Sequence, residues 1–114
     1  LGICLGMQAM CFAYNKEEIK ISNHCILEEY VHFVNLKKGT LLYSIIGKER
    51  IRVNSRHNYA VKNTHFLINA ISDDDIIEGI EDKIKKFFLG VEWHPESLED
   101  EYSNKLFTYF IDML

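Results

Sequence analysis

The sequence predicts an α/β protein built on a mostly parallel sheet, and three features of the chain indicate this class. Gly2, Cys4 and Gly6 form a G-x-C-x-G pattern near the start of the 114 residues, which is typical of a sharp turn from a strand into a helix. Residues 87–93 form a continuous apolar run with one charge, as expected of a strand buried on both faces. Near the C-terminus, apolar residues recur at helical spacing.

The turn at Cys4 indicates a nucleophile elbow, in which a strained residue needs small neighbours. We expect Gly2 to let strand and helix approach closely, and Gly6 to let the first helical turn pass the sheet without a Cβ clash. At a helix N-terminus the dipole favours the thiolate of Cys4, and the amide of Leu5 is placed to donate to an oxyanion. The alternative is a small buried cysteine in a glycine-containing turn.

The first half of the chain is predicted to contain two helices and a strand. The elements are a helix over 5–14 that ends at Asn15, a polar loop over 16–25 with a short element near 19–21, a strand over 28–36 and a helix over 41–46. Thr40 is a suitable N-cap for the second helix and Gly47 ends it. His24 and Cys25 are interpreted as loop residues rather than ligands.

The second half is predicted to be richer in strands. The elements are strands over 49–55, 65–72, 76–81 and 87–93, and a helix over 98–114. The second and third of these strands form a hairpin around Asp73–Asp75, which is interpreted as a solvated turn because it lacks the ligand spacing of a calcium loop. The helix would bury Leu106, Phe107, Phe110, Ile111 and Leu114.

Composition limits the classes of function. With 47% hydrophobic and 26% charged residues, the chain is an ordinary globular domain, and its net charge of −4 gives no reason to expect a nucleic-acid partner. No apolar run is long enough to span a membrane. The three cysteines, at positions 4, 11 and 25, match no zinc spacing and indicate reduced thiols in the cytoplasm, so no metal site is expected from them. Because the elbow needs a preceding strand, we expect residues 1–114 to be the C-terminal part of a single domain in a longer protein.

His94, Pro95 and Glu96 follow the buried strand and form a second motif. Catalytic groups of open α/β sheets gather at the carboxyl ends of the strands, so His94 is well placed to face Cys4. Residues two apart in an extended chain point the same way, which lets Glu96 fix the tautomer of His94. The motif on its own is also consistent with a strand-ending turn that carries a solvated histidine.

Together, Gly-Ile-Cys-Leu-Gly-Met-Gln at residues 2–8 and Gly-Val-Glu-Trp-His-Pro-Glu at residues 90–96 resemble the class I glutamine amidotransferase superfamily. Val-Asn-Ser-Arg-His at residues 53–57 and Trp93 resemble its γ-glutamyl hydrolase branch, and within it the γ-glutamyl-γ-aminobutyrate hydrolases. The resemblance implies a flavodoxin-like, three-layer fold with an added antiparallel portion over residues 49–81, present here as its C-terminal part.

The same resemblance implies the roles of six residues. Cys4 would be the nucleophile, His94 the general acid and base, and Glu96 its partner, with Leu5 as oxyanion donor. Gln8 would lie beside the γ-glutamyl group and His57 near the active site. For His57 the alternative is a polar structural corner satisfied by Asn54 and Ser55.

The implied function is hydrolysis of a γ-glutamyl amide of a small molecule, through a γ-glutamyl thioester on Cys4. The mechanism implied by this family resemblance needs no organic cofactor either. One alternative is a glutaminase subunit that takes glutamine and passes ammonia to a synthase partner. Another is a truncated, non-catalytic fragment that self-associates through an exposed sheet edge. Arg56 and Asn58 differ from the residues expected in the γ-glutamyl hydrolase branch, which leaves the leaving-group amine open.

Overall fold

The computed structural model describes residues 1–13 and 17–114 and contains a six-stranded sheet. In spatial order its strands are β1 (Gly2–Ile3), β10 (Leu89–Val91), β9 (Ile77–Glu81), β8 (Leu67–Ser72), β4 (His32–Leu36) and β5 (Arg50–Val53). Two small ribbons pair β2 (Glu18–Lys20) with β7 (Tyr59–Val61), and β3 (Cys25–Ile26) with β6 (Ser55–Arg56). The helices are α1 (Leu5–Phe12), α2 (Leu41–Ile46) and α3 (Glu101–Asp112).

The main sheet is mixed. β1 and β10 run parallel, with Gly2 opposite Gly90 and Ile3 opposite Val91, while the other neighbouring strands of this sheet pair antiparallel. The α/β class and the hairpin of β8 and β9 are confirmed, but the sheet formed by the described residues is mostly antiparallel, not mostly parallel as predicted. The connections from β8 to β9 and from β9 to β10 are too short for a crossover helix, so these strands pair antiparallel. The antiparallel portion predicted for residues 49–81 also takes in β4, which pairs with both β5 and β8.

The sheet separates two apolar clusters. The larger one packs α2 and α3 against the sheet, with Leu42, Val91, Trp93 and Leu106 among its fully buried members. The smaller one includes Met7 and lies under α1. Strand β10 passes so close to α1 that a Cβ on Gly90 would come within 2.9 Å of Met7 Cγ. This close approach fixes the helix that follows Cys4 against the strand that leads to His94.

Local capping chemistry explains the helix ends. Thr40 Oγ1 accepts a hydrogen bond from the backbone N–H of Tyr43, and Gly47 ends α2 with a φ of 78°, as the sequence predicts. Helix α3 starts later than predicted, because residues 95–97 form a 3₁₀ turn and Asp100 is its N-cap. The buried face of α3 is also narrower than predicted, since Ile111 and Leu114 are exposed.

Two further differences concern the strands and α1. The sequence predicts alternation in β9, yet all five of its residues are buried, including the acidic side chains of Glu78 and Glu81. Helix α1 ends at Phe12, and the predicted stop at Asn15 lies outside the described residues. The short element predicted near residues 19–21 is strand β2. A search of the described residues finds no helix with the length and hydropathy of a membrane span.

Candidate active site

The backbone at Cys4 has the strained geometry of an elbow. Cys4 lies between β1 and α1 with φ 50° and ψ −105°, a left-handed conformation that costs a non-glycine residue about 1–3 kcal/mol. Its N–H donates to the carbonyl of Val91 at 2.8 Å, which extends the pairing of β1 with β10. A Cβ on Gly2 would come within 2.9 Å of the Gly6 carbonyl carbon, so the predicted close approach occurs there. The role predicted for Gly6 is wrong, because a Cβ on Gly6 would meet no described atom within 4 Å.

The thiol of Cys4 is held in its protonated form. Burial, together with a smaller effect from the nearby charge of Glu92, raises the pKa of Cys4 to about 11. A hydrogen bond from the backbone of Leu5 favours the thiolate but is outweighed. The sequence-based expectation of a thiolate favoured by the helix terminus is therefore wrong for the free protein. The role of Leu5 as an oxyanion donor stays a prediction.

His94 and Glu96 form a hydrogen-bonded pair at the same edge of the sheet as Cys4. Because β1 and β10 are parallel and in register, the segments after Ile3 and after Val91 leave the sheet at one edge. His94 Nδ1 lies 2.9 Å from Glu96 Oε2. A carboxylate accepts the proton of Nδ1, and this leaves Nε2 with the lone pair that a general base needs.

The side chain of Asn54 holds the backbone of His94. The N–H of His94 donates to Asn54 Oδ1 at 2.7 Å, and Asn54 Nδ2 donates to the His94 carbonyl at 2.9 Å. Asn54 is fully buried, so both bonds are protected from water. The sequence also allowed Asn54 to be a partner of His57. That alternative is wrong, because the side chain of Asn54 binds the backbone of His94. The sequence signal for this positioning role is an asparagine directly after a strand with alternating polar and apolar residues.

Gln8 connects α1 to the strand that carries Glu92. Its Nε2 donates to Glu92 Oε2 and to the carbonyl of Tyr59, each at 3.2 Å. Burial raises the pKa of Glu92 to about 8, and the nearby His57 offsets only part of this effect. Gln8 is buried in this arrangement, and its contact with a γ-glutamyl group stays a prediction.

His57 is buried between two carboxylates. Its Nδ1 lies 2.8 Å from the carbonyl of Tyr59 and 3.6 Å from Glu92 Oε2, and its Nε2 lies 3.6 Å from Glu78 Oε1. Burial is the largest influence on the pKa of His57 and lowers it, but the contact with Glu78, the charge of Glu92 and the Tyr59 carbonyl together outweigh burial, so the net direction is upward. Its place in the substrate site stays a prediction. The alternative, a structural corner in which Asn54 and Ser55 are the partners of His57, is wrong, because the neighbours of His57 are Tyr59, Glu78 and Glu92.

Glu78 is the centre of a group that we call the histidine cluster, formed by His24, His32, His57 and Glu78. Two more histidines approach the same oxygen as His57. His24 Nδ1 lies 3.3 Å from Glu78 Oε1, and His32 Nε2 lies 3.6 Å from it. Burial raises the pKa of Glu78, yet the histidines lower it to a net value below the usual range, so the carboxylate is ionised. No local pattern in the sequence indicates this cluster, because its members come from four separate segments.

His24 lies in the loop before β3, as predicted, whereas Cys25 begins β3, so the prediction of a loop residue is wrong for Cys25. His24 is buried, and its Nε2 lies 2.7 Å from Asp74 Oδ2. Contact with Glu78 is the main reason that the pKa of His24 rises to about 9, against the effect of burial. Asp74 is therefore more than part of a solvated turn. Cys25, the neighbour of His24 in the chain, is an exposed free thiol.

Residues 54–57 present alternate side chains to two sites. Asn54 binds the His94 backbone, and Arg56 Nη1 donates to Ser97 Oγ at 3.2 Å. Ser55 Oγ donates to the His24 carbonyl at 2.6 Å, and His57 faces Glu78. The two-residue period of an extended chain thus sends one pair of side chains to the catalytic edge and the other pair to the histidine cluster.

With this geometry established, known proteins identify the family. Residues 1–96 match peptidase C26. The chain belongs to the peptidase C26 family. The match includes Cys4, His94 and Glu96, and it confirms the resemblance to the glutamine amidotransferases that the two sequence motifs indicate.

Relatives of this peptidase C26 chain share the amidotransferase name. A Schizosaccharomyces pombe protein provisionally named a glutamine amidotransferase is 34% identical over 98% of this chain and 49% of its own length. A CTP synthase of Sulfolobus acidocaldarius is 39% identical over 69 residues, which cover 54% of this chain and 13% of that enzyme. The chain thus spans about half the length of the first of these relatives.

Solved structures confirm the fold. A Thermoplasma acidophilum protein provisionally named as part of a GMP synthase superposes with a TM-score of 0.81 at 21% identity, covering 98% of this chain and 55% of that one. A glutamine amidotransferase of Thermotoga maritima gives a TM-score of 0.69 at 16% identity, covering 97% and 46%. The peptidase C26 chain therefore has the glutamine amidotransferase fold that the sequence predicts.

Proposed function

We propose that the protein hydrolyses the γ-glutamyl amide bond of a small molecule, with Cys4 as nucleophile, His94 as general acid and base, and Glu96 as its orienting carboxylate. The observation that carries this proposal is the strained backbone of Cys4, whose N–H binds the end of β10. Strand β10 pairs in register with β1 and leads directly to His94. Strain of this kind is retained where the surrounding structure imposes it, and it is concentrated at reactive residues.

The proposed reaction proceeds in two steps. His94 Nε2 takes the thiol proton as the sulfur of Cys4 attacks the γ-carbonyl, and the N–H of Leu5 donates to the oxyanion. The carbon–nitrogen bond then breaks, His94 returns the proton to the leaving amine, and a γ-glutamyl thioester remains. In the second step His94 removes a proton from water, the hydroxide adds to the thioester, and glutamate and the free thiol are released.

The raised pKa of Cys4 makes this proton transfer necessary. A thiol with a pKa of about 11 is almost entirely protonated at neutral pH, so the protein must deprotonate it during attack. The Nδ1 contact of His94 with Glu96 leaves Nε2 available and stabilises the imidazolium that forms.

A second candidate is a glutaminase that delivers ammonia to a synthase. The identity of 39% over 69 residues with a CTP synthase favours it. The two candidates share the chemistry at Cys4 and differ in the leaving group. A glutaminase would prefer glutamine and speed up when a synthase partner binds, whereas a hydrolase would act without a partner on a substituted γ-glutamyl amide.

Catalysis is tested by measuring glutamate release from glutamine and from a γ-glutamyl alkylamide. We expect Cys4→Ala to lower kcat/KM by at least about 1,000-fold, as expected for loss of a nucleophile. Cys25→Ala is the matched control, because that cysteine is exposed, and it should keep full activity. The wild type should also yield a γ-glutamyl adduct on the Cys4 peptide by mass spectrometry. Unchanged hydrolysis in Cys4→Ala would refute the proposal.

The environment of the protein is a further part of this proposal. All three cysteines are free thiols, which is typical of a reducing compartment such as the cytoplasm. Large apolar side chains such as Leu27 and Ile84 are more than nine-tenths exposed, and they favour self-association or a partner surface. Light scattering of the purified protein would decide between a monomer and an assembly.

A further inference from the structure

The histidine cluster brings three imidazole nitrogens to one buried carboxylate oxygen. His24 Nδ1, His32 Nε2 and His57 Nε2 lie 3.3, 3.6 and 3.6 Å from Glu78 Oε1. Within the described part of the chain, neither oxygen of Glu78 has a hydrogen-bond partner, and neither does His32 Nε2 or His57 Nε2. Glu78 is fully buried, so bulk solvent does not reach its oxygens.

The second nitrogen of each histidine has an oxygen acceptor of its own. His24 Nε2 lies 2.7 Å from Asp74 Oδ2, His32 Nδ1 lies 3.0 Å from the Phe33 carbonyl, and His57 Nδ1 lies 2.8 Å from the Tyr59 carbonyl. An imidazole that donates one N–H to such an acceptor presents a lone pair on its other nitrogen. This is the arrangement found around metal-binding histidines, whose second nitrogen donates to a carboxylate or a backbone carbonyl.

One hydroxyl near His24 does not change this assignment. Ser55 Oγ lies 3.3 Å from His24 Nδ1, but it lies 2.6 Å from the His24 carbonyl, which is the shorter contact. The single hydroxyl proton goes to the carbonyl. When His24 gives up its Nδ1 proton, as metal binding requires, the lone pair left on Nδ1 is directed toward Glu78.

The two distances to Glu78 Oε1 match the ligand spacing around a small divalent ion, and the two histidine nitrogens lie close enough for a modest side-chain shift to complete the site. Bonds of about 2.0–2.2 Å in a tetrahedral site place ligand atoms about 3.3–3.6 Å apart. Glu78 Oε1 stands at 3.3 and 3.6 Å from the nitrogens of His24 and His32, and the three ligand atoms lie within 4.8 Å of one another. The donor set of imidazole nitrogens and one carboxylate is typical of Zn²⁺.

We propose that His24, His32 and Glu78 bind a zinc-class divalent ion, with His57 as a neighbour whose Nε2 lies 3.6 Å from the same carboxylate oxygen. The ligands come from the loop before β3, from β4 and from β9. A bound ion would therefore tie the polar segment around His24 to the main sheet. Protons compete for the same lone pairs, and an ion-free cluster would neutralise Glu78 through protonated histidines instead.

The test uses the purified protein, stripped with a chelator and titrated with Zn²⁺ against a competing chromophoric chelator. We expect one equivalent to bind, and His32→Gln to weaken binding by at least about 100-fold, since even residues behind the ligands account for about 10–100-fold. His32 is the ligand of choice because it is only partly buried, so the variant is expected to fold. His65→Gln is the matched control for surface histidines and should bind like the wild type.

A second measurement identifies the ligand atoms. Imidazole ¹⁵N chemical shifts recorded with and without one equivalent of Zn²⁺ should show metal at Nδ1 of His24 and at Nε2 of His32. Circular dichroism confirms that each variant is folded. The proposal is overturned if the folded wild type binds no Zn²⁺ at stoichiometric concentration, if His32→Gln and His65→Gln bind equally, or if the shifts show only protonation.

Discussion

Glu78 and Glu81 lie three residues apart on strand β9 and are both almost completely buried, yet their surroundings differ. Glu81 accepts hydrogen bonds from the N–H groups of Leu41 and Leu42 at 2.7 and 3.1 Å, and from Asn69 Nδ2 at 2.9 Å. Neither oxygen of Glu78 accepts one from any described residue, and its neighbours are the three histidines.

The difference separates a structural carboxylate from one that needs a cation. Glu81 caps the first turn of α2 from across the sheet, so its charge is satisfied by backbone donors within the fold itself. The charge of Glu78 is offset only by groups that titrate or bind metal. Burial alone therefore does not distinguish a buried acidic residue with a structural role from one in a binding site. The hydrogen-bond donors around the carboxylate make this distinction for Glu78 and Glu81.

The largest expected effect is on Glu81. Glu81→Gln replaces a charged acceptor of three hydrogen bonds by an amide that accepts with one atom only, and we expect a loss of about 3 kcal/mol in the free energy of unfolding. Urea unfolding followed by circular dichroism measures it. A loss below about 1 kcal/mol would show that the cap on α2 is not a main source of stability.

The matched change at Glu78 should depend on zinc. In chelator-treated protein Glu78→Gln should cost less than Glu81→Gln, because it removes no acceptor of a backbone hydrogen bond and the neighbouring histidines can lose their protons when the carboxylate charge is removed. At 100 times the dissociation constant, Zn²⁺ should stabilise the wild type by about 2.7 kcal/mol and leave Glu78→Gln unchanged. If the two substitutions lower the free energy of unfolding equally in the absence of metal, the proposed distinction between Glu78 and Glu81 is wrong.

A smaller effect is expected at Glu92, the third buried glutamate. Its negative charge raises the pKa of Cys4, so Glu92→Gln should move that pKa downward from about 11. Because the thiolate is the reactive form, the alkylation rate of Cys4 rises as pH approaches the thiol pKa, and in the variant this rise should occur at lower pH. Peptide mass mapping follows Cys4, with Cys25 in the same sample as an internal standard. An unchanged profile would show that the charge of Glu92 does not contribute to the pKa of Cys4.

Features governed by neighbouring residues could be predicted from the sequence. The cap at Thr40, the left-handed Gly47 and the pair of His94 with Glu96 each depend on residues a few positions apart. The hairpin of β8 and β9 and the fold class were also predictable, because alternation and apolar runs record burial. These patterns are local, and so are their physical causes.

Contacts between distant segments could not be predicted. Asn54 and His94 are 40 positions apart, and His24 and Glu78 are brought together only by the order of the strands. Alternation of polar and apolar residues in β9 predicts that one face of the strand, with Glu78, is exposed to solvent. Both faces of β9 are buried instead. The pKa of Cys4 required the burial and the charges around it, which a motif does not record.

The alternation over residues 54–57 makes this segment sensitive to its length. Substitution of one side chain would disturb one contact, either at His94 or at the histidine cluster. Deletion or insertion of a single residue would instead exchange the two sets of side chains, because a shift by one position turns every side chain to the opposite face. Natural and engineered variants should therefore accept replacements here far more readily than gaps, and a one-residue deletion should disable both sites in a single event.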